Sequence, residues 1–263
     1  MKLLFQKSVF GYENNESLLE EIFGKSNVIY FDDPNEIGQY TYELDGCPIF
    51  LRSSVSAAHR IKRMFVGDHV NDFYDCNVWV PKLKSFYLNS EDYQFLDLDE
   101  IQKRFFHQSS VDITLFIRPI KGNKVFSGDI FWKDKLEKEI AHLRTLGREP
   151  EDIICLYSSS KIHQLEDEYR MIVVNNKCIS SSQYMRNGNL YVDSKTPKYV
   201  NDFTDKVIGS SDFLKYEVMD YVLDVVKMSD GQMKIVEINS IETSGYYDAN
   251  LKKVYTAIAN RNN

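Results

Sequence analysis

The chain has 263 residues, enough for one large domain or several small lobes, and its 43% hydrophobic and 27% charged residues are those of a soluble globular protein. Its 17 Tyr and 16 Phe exclude a disordered chain, and 6 Pro with 12 Gly leave no room for a long flexible linker. The formal charge of −7 disfavours general nucleic-acid or anionic-membrane binding. No stretch approaches the about 20 apolar residues of a membrane span. The opening Met1–Lys7 is too short for the apolar region of a signal peptide, so the expected location is cytoplasmic.

Residues 1–60 alternate between strand and helix patterns. Leu3-Leu4-Phe5 reads as a strand, Glu16 to Phe23 as an amphipathic helix closed by Gly24, and Val28 to Phe31 as a strand ended by Asp32-Asp33-Pro34. Pro48 to Leu51 is a further strand, followed by Arg52-Ser53-Ser54 and a helix from Ala57 to Val66. Asp68 to Tyr93 is aromatic and irregular, and Asp99 to Phe106 has a helical pattern.

From residue 111 the chain becomes a series of strand pairs. Ile113 to Arg118 is a strand stopped by Pro119, Lys121-Gly122-Asn123-Lys124 a turn, and Val125 to Gly128 the return. Trp132 to Leu146 is a charged amphipathic helix with Gly147 at its end. Ile153 to Tyr157 is an apolar strand running into the polar loop Ser158–Lys161. Glu168 to Val174 and Cys178 to Tyr184 form a hairpin about Asn175-Asn176-Lys177. Phe213 to Leu223 is a helix or a helix–strand transition, and Leu251 to Ala259 a terminal helix.

The hairpin Tyr221–Asn239 carries the most chemistry. Asp230-Gly231 between alternating apolar residues predicts a two-residue type I′ turn, since that turn needs φ > 0 at both central positions. The register that follows sets Met228 opposite Met233, Val226 opposite Ile235, and Asp224 opposite Glu237, with Asn239 on the same face. Facing carboxylates repel across a ladder. A divalent cation bound by Asp224, Glu237 and Asn239 would offset that repulsion; a half-exposed hairpin with solvated acids is the alternative.

Two other clusters stand out. Arg118, Lys121 and Lys124 around a glycine turn, with Ser127-Gly128 beside them, form a compact positive set suited to polyphosphate, or else a solvated basic loop. Glu168 and Arg170 share a strand face with Ile172 and Val174 behind them, as a functional strand end or a rim ion pair would. His59, His69, His107, His142 and His163 are isolated, and Cys47, Cys76, Cys155 and Cys178 have no metal-ligand spacing. Cys155 and Cys178 lie in apolar runs as small buried thiols do. The phosphate-loop, kinase and dinucleotide fingerprints are missing, so any nucleotide chemistry uses another scaffold.

In order, Phe116-Ile117-Arg118-Pro119, Lys124-Val125-Phe126-Ser127-Gly128, Glu168-Tyr169-Arg170, Asp224 and Glu237-Ile238-Asn239 resemble the ATP-grasp superfamily. The closer likeness is to the clade named for an arginine and two lysines, common in bacteria and their phages. The resemblance spans roughly residues 111–250. It implies an α+β ATP-grasp fold over residues 111–263, two lobes clamping a nucleotide, preceded by a small α/β lobe over 1–110.

It further implies ATP and Mg²⁺ as cofactors. Arg118 stands where many members place a lysine; with Lys124 and Lys121 it would contact phosphates. Cys155-Leu156-Tyr157-Ser158 would be a hinge whose backbone reads the adenine edge, and Glu168 a further nucleotide contact. Arg170 would act on the transferring phosphate, and Asp224, Glu237 and Asn239 would hold Mg²⁺. The implied reaction joins a small-molecule or peptide carboxylate to an amine through an acyl-phosphate, releasing ADP and phosphate. Two rivals stand beside it. One is a nucleotidyl ligase of RNA or DNA with Lys121 as the adenylated residue; the other is a non-catalytic nucleotide-binding protein.

Overall fold

The computed structural model describes residues 1–13, 15–66, 74–107, 114–121, 125–158 and 165–261, with the backbone alone at Tyr12, Val66, Phe106 and His107. These pack as two compact units, Met1–Asn71 with Leu165–Asn263, and Asp72–Gln164. Packing therefore divides the chain differently from the boundary at residue 110 drawn along the sequence. The physical reason is a shared core: Leu3, Phe5, Phe10 and Phe50 pack with Ile172, Val222, Val254 and Tyr255.

The first unit begins with β1 (Lys2–Gln6), α1 (Glu16–Phe23), β2 (Val28–Phe31), α2 (Thr41–Leu44), β3 (Ile49–Arg52) and α3 (Val55–Val66). The strands form a parallel sheet in the order β2-β1-β3. Parallel sheets are buried on both faces, and β1 shows why its run is continuously apolar. Leu3 and Phe5 enter the shared core, while Leu4 joins Ile29, Leu51 and Ile61 on the other side.

The second unit holds α4 (Cys76–Lys82), β4 (Gln94–Asp97), α5 (Leu98–His107), β5 (Leu115–Pro119), β6 (Asp129–Phe131), α6 (Lys133–Thr145) and β7 (Ile154–Ser158). The antiparallel sheet runs β4-β7-β5-β6. Ile101 of α5 and Leu136, Ile140 and Leu143 of α6 pack with Leu115, Ile117 and Cys155 from the strands. The return strand begins at Asp129, opposite Ile117, and not at Val125 as the sequence suggests. β4 is too short and mixed to be seen in sequence, and its pairing with β7 makes it a strand.

The first unit resumes with β8 (Leu165–Val174), β9 (Lys177–Arg186), β10 (Asn189–Asp193), α7 (Lys198–Ser210), β11 (Tyr221–Met228), β12 (Met233–Asn239) and α8 (Leu251–Ala259). The expected helix from Phe213 is a single π-helical stretch, Phe213–Val218, that gives way to β11. The sheet is antiparallel, ordered β10-β9-β8-β11-β12. Its β8–β9 turn places Asn175 and Asn176 at φ 49° and 58°, the left-handed pair that a type I′ turn requires.

The turn at Asp230-Gly231 is different. Gly231 alone of the two has positive φ, 81°. Its N–H bonds the Met228 carbonyl at 2.8 Å, and the Met228 N–H bonds the Gln232 carbonyl at 2.8 Å. This is a three-residue loop, Ser229 to Gly231, with glycine in the left-handed place. The register near the turn is consequently one residue off the expected one: Lys227 faces Met233, Val226 faces Lys234 and Val225 faces Ile235. A bulge before Asp224 removes the offset, and Asp224 faces Glu237 as expected.

Candidate active site

One row of directly opposed residues crosses four strands of the first unit: Ser182 on β9, Arg170 on β8, Asp224 on β11 and Glu237 on β12. The adjoining row is Ser180, Ile172, Val222 and Asn239. Opposed residues share a face. Along β8 and β11 that face changes from apolar to ionic, since Ile172, Val174 and Val222 lie in the core beneath Val254 and Ile258 of α8. Arg170, Glu168 and Asp224 follow beyond α8, next to the segment 240–250.

Arg170 resolves the repulsion between the facing acids. Its Nε donates to Asp224 Oδ1 at 2.8 Å and its Nη2 to Oδ2 at 2.7 Å, a two-pronged pair with Asp224 1% exposed. Its Nη1 donates to the Gly245 carbonyl at 2.9 Å. The guanidinium also lies 5.2 and 5.0 Å from the rings of Tyr184 and Tyr247, which stack on each other at 5.2 Å. Burial, the largest single influence, opposes its charge, but the Asp224 carboxylate, its hydrogen bonds and the nearby Tyr247 and Tyr184 together hold the Arg170 pKa above its ordinary value. Beside the divalent cation expected from the sequence, Arg170 thus offsets the Asp224 charge directly.

Asn239 Nδ2 donates to Asp224 Oδ2 at 3.3 Å. The Tyr184 hydroxyl donates to Glu168 Oε2 at 2.7 Å. Burial, set partly back by that hydrogen bond, and then the nearby charges of Asp224 and Glu237 raise the Glu168 carboxyl above its ordinary 4.5. Three carboxylates thus share this face with a single arginine. Among the described residues no group of three or more His, Cys, Asp or Glu side chains is arranged to hold a metal alone. The donor set still fits Mg²⁺, which is ordinarily held by one or two carboxylates together with substrate phosphates. Glu237, the Asn239 carbonyl and the remaining acceptor site of Asp224 Oδ1 supply such a set.

The second unit carries Arg118 on β5, nine-tenths buried and opposite Leu156 of β7. Gly128 passes so close that a Cβ there would lie 2.9 Å from Arg118 Cβ and 3.4 Å from Phe116 Cζ. The glycine beside the basic cluster is therefore required by a close backbone approach. Lys121 is exposed; Lys124 lies outside the described residues, as does Lys161 of the polar loop.

The residues expected as the hinge lie inside the sheet of the second unit. Cys155, Leu156 and Tyr157 pair with β4 on one side and β5 on the other, so their backbone groups serve both ladders. The β4 ladder ends at Gln94–Tyr157, and Ser158 pairs with Phe116 of β5 alone. Burial pushes the thiols of Cys155 and Cys178 up, the latter to about 12; Cys155 is a core cysteine, while Cys178 is only half-buried.

Sequence reasoning missed Ser182 and Tyr184, which arrive from β9; Gly245 and Tyr247 belong to the polar run Thr243–Asp248 that extends the Asp224 face after β12. Sequence reasoning also missed Lys234: the three-residue loop brings Lys234, not Ile235, opposite Val226 on the Glu168 face. Recognising that loop type would have found it.

The amino-acid sequence matches the ATP-grasp domain, R2K clade family 2, over residues 95–257, more than half of the chain. The chain belongs to the ATP-grasp superfamily. The α+β ATP-grasp fold expected from the sequence stands. Similar solved structures include a RimK domain protein ATP-grasp from Sphaerobacter thermophilus, at 14% identity and TM-score 0.56, covering 98% of each chain. D-cycloserine synthetase DcsG has 10% identity and TM-score 0.56 over 99% of this chain and 98% of that one. A RiPP-associated ATP-grasp ligase of Chryseobacterium gregarium, solved with ADP and a leader and core peptide, has 12% identity and TM-score 0.51 over 98% and 95%. At these identities the likeness is one of fold. No curated protein matches the sequence. Among the described residues no helix is long and apolar enough to cross a membrane.

Proposed function

We propose that this ATP-grasp protein joins a small-molecule or peptide carboxylate to an amine, forming an amide or peptide-like bond through an acyl-phosphate. A substrate carboxylate oxygen attacks the γ-phosphorus of ATP; the bond to the bridging oxygen breaks and ADP leaves. The amine nitrogen then attacks the acyl carbon, the bond to phosphate breaks, and the nitrogen gives up a proton as phosphate departs.

The observation that carries this reading is the Arg170–Asp224 pair in line with Glu237. Three of the five N–H donors of Arg170 are used on Asp224 and Gly245. The other two are the proposed contacts to the transferring phosphate, and Asp224 orients them. Preorganised donors of this kind stabilise developing charge without rearranging during the reaction. Glu237, Asn239 and Asp224 are the proposed Mg²⁺ residues, and the ion would neutralise charge on the transferred phosphoryl group. Arg118, Lys121 and Lys124 are proposed phosphate contacts, Glu168 a nucleotide contact, and the strand Cys155-Leu156-Tyr157-Ser158, at its Ser158 end, the adenine hinge. We keep residues 1–110 as a lobe preceding the ATP-grasp region along the sequence.

A phosphate-release screen with ATP, Mg²⁺ and pooled amino acids and peptides tests the proposal. Release should depend on both an acid and an amine, and should be lost in Glu237→Gln. Release surviving in Glu237→Gln would remove the metal assignment. A covalent protein–AMP adduct from labelled ATP would replace the ligase reading by nucleotidyl transfer.

A further inference from the structure

Arg52, the last residue of β3, is fully buried although it is charged, and Glu13 is 1% exposed beside it. Arg52 Nε donates to Glu13 Oε2 at 3.0 Å and Nη2 to Oε1 at 2.7 Å. The guanidinium lies 3.6 Å from the centre of the Phe10 ring and 3.8 Å from that of Tyr246. Its Nη1 donates to the carbonyls of Ile241 and Glu242 at 3.2 and 3.1 Å. Glu13 in turn accepts the Tyr246 N–H at 3.0 Å and the Tyr255 hydroxyl at 3.1 Å. The Tyr246 hydroxyl donates to the Ile241 carbonyl at 2.7 Å, and the Ser53 N–H to the Glu242 carbonyl at 3.1 Å.

A buried ion pair is weak evidence for stability, because desolvation offsets its attraction. What this one does is define a path. Nearly every bond it sends away from the N-terminal lobe ends on residues 241–246. The same segment holds Arg170 through the Gly245 carbonyl, and its next residue does so through the Tyr247 ring. Tyr247 has φ 51°, a left-handed conformation rarely adopted outside glycine. That turn lets the neighbouring rings of Tyr246 and Tyr247 lie against different guanidiniums, Arg52 and Arg170. Such strain persists where the surroundings over-determine it.

We propose that Glu13 and Arg52 are positioning residues for Arg170: they set the segment Ile241–Tyr247, and that segment sets the guanidinium. Its functional value rests on the reading of Arg170 as a phosphate contact; the coupling itself does not.

The test follows the Arg170 side-chain Nε–H resonance, assigned by its loss in Arg170→Lys. Arg52→Lys keeps the charge but cannot fork to Glu13, reach two carbonyls and fill the slot between two rings. It should move that resonance and speed its hydrogen exchange about tenfold, through freer local opening. Leu19→Ala, a cavity in the same core with no contact to the pair, is the control at matched loss of melting temperature and should leave the resonance in place. Phe10→Leu, which removes one ring on the lobe side, serves if Arg52→Lys does not fold, with a smaller shift expected. Equal shifts in variant and control, or none in either, would overturn the coupling. If the resonance responds while acceptor-dependent phosphate release keeps its kcat and KM, the coupling stands and the assigned role of Arg170 falls.

Discussion

Arg170 and Asp224 face each other across the β8–β11 ladder and meet through two hydrogen bonds of 2.8 and 2.7 Å. With side chains 11% and 2% exposed, neither charge has water to fall back on. Asp224→Ala should therefore cost about 3–5 kcal/mol, as breaking a buried pair does. Arg170→Met combined with Asp224→Leu should cost clearly less than the two single changes added together. Urea unfolding midpoints decide it, and simple additivity would show that the pair does not act as a unit.

Gly128→Ala should destabilise the protein by about 1–3 kcal/mol, because the new methyl must displace Arg118 or spread β5 from the return strand. ATP affinity, measured by calorimetry, should fall with it. An unchanged affinity would detach Arg118 from nucleotide binding.

Glu168 gives a pH dependence with a definite sign. Its folded pKa lies above its ordinary 4.5, chiefly through burial. Its contribution is complete below about pH 4.5 and is lost as pH rises through the raised folded value. The melting temperature of the wild type relative to Glu168→Gln should therefore decline as pH is raised from 4.5. A difference that grows with pH would mean that the Tyr184 hydrogen bond and the Arg170 charge favour the carboxylate more than burial opposes it.

Ser182 has a fully buried hydroxyl with no hydrogen-bond partner, in the row with Arg170. An unsatisfied buried group costs about 1–3 kcal/mol. Ser182→Ala should raise the melting temperature or leave it unchanged. A marked fall would show that a water or ligand occupies that hydroxyl in solution.

Apolar runs and their glycine or asparagine stops located most strands and helices, and the β8–β9 hairpin turns at Asn175-Asn176 as read. The Asp224–Glu237 facing also holds, though a compensating bulge rescued it from a turn type read incorrectly. Alternation fixes which residues share a face because the side-chain period of a strand is two, so one inserted residue inverts it and a second irregularity restores it.

The pairing of Arg170 with Asp224 emerges from the fold alone. Arg170 lies 54 positions from Asp224, and Gly245 and Tyr247 come from beyond β12. No local period links them; they meet because β11 pairs with β8 and the following segment crosses the same face. The union of residues 1–71 with 165–263 in one unit has the same origin, since the two halves bury their apolar faces in a common core and close over Arg52 and Glu13. A buried charge must find its partner wherever the chain places one, and sequence spacing does not record that distance.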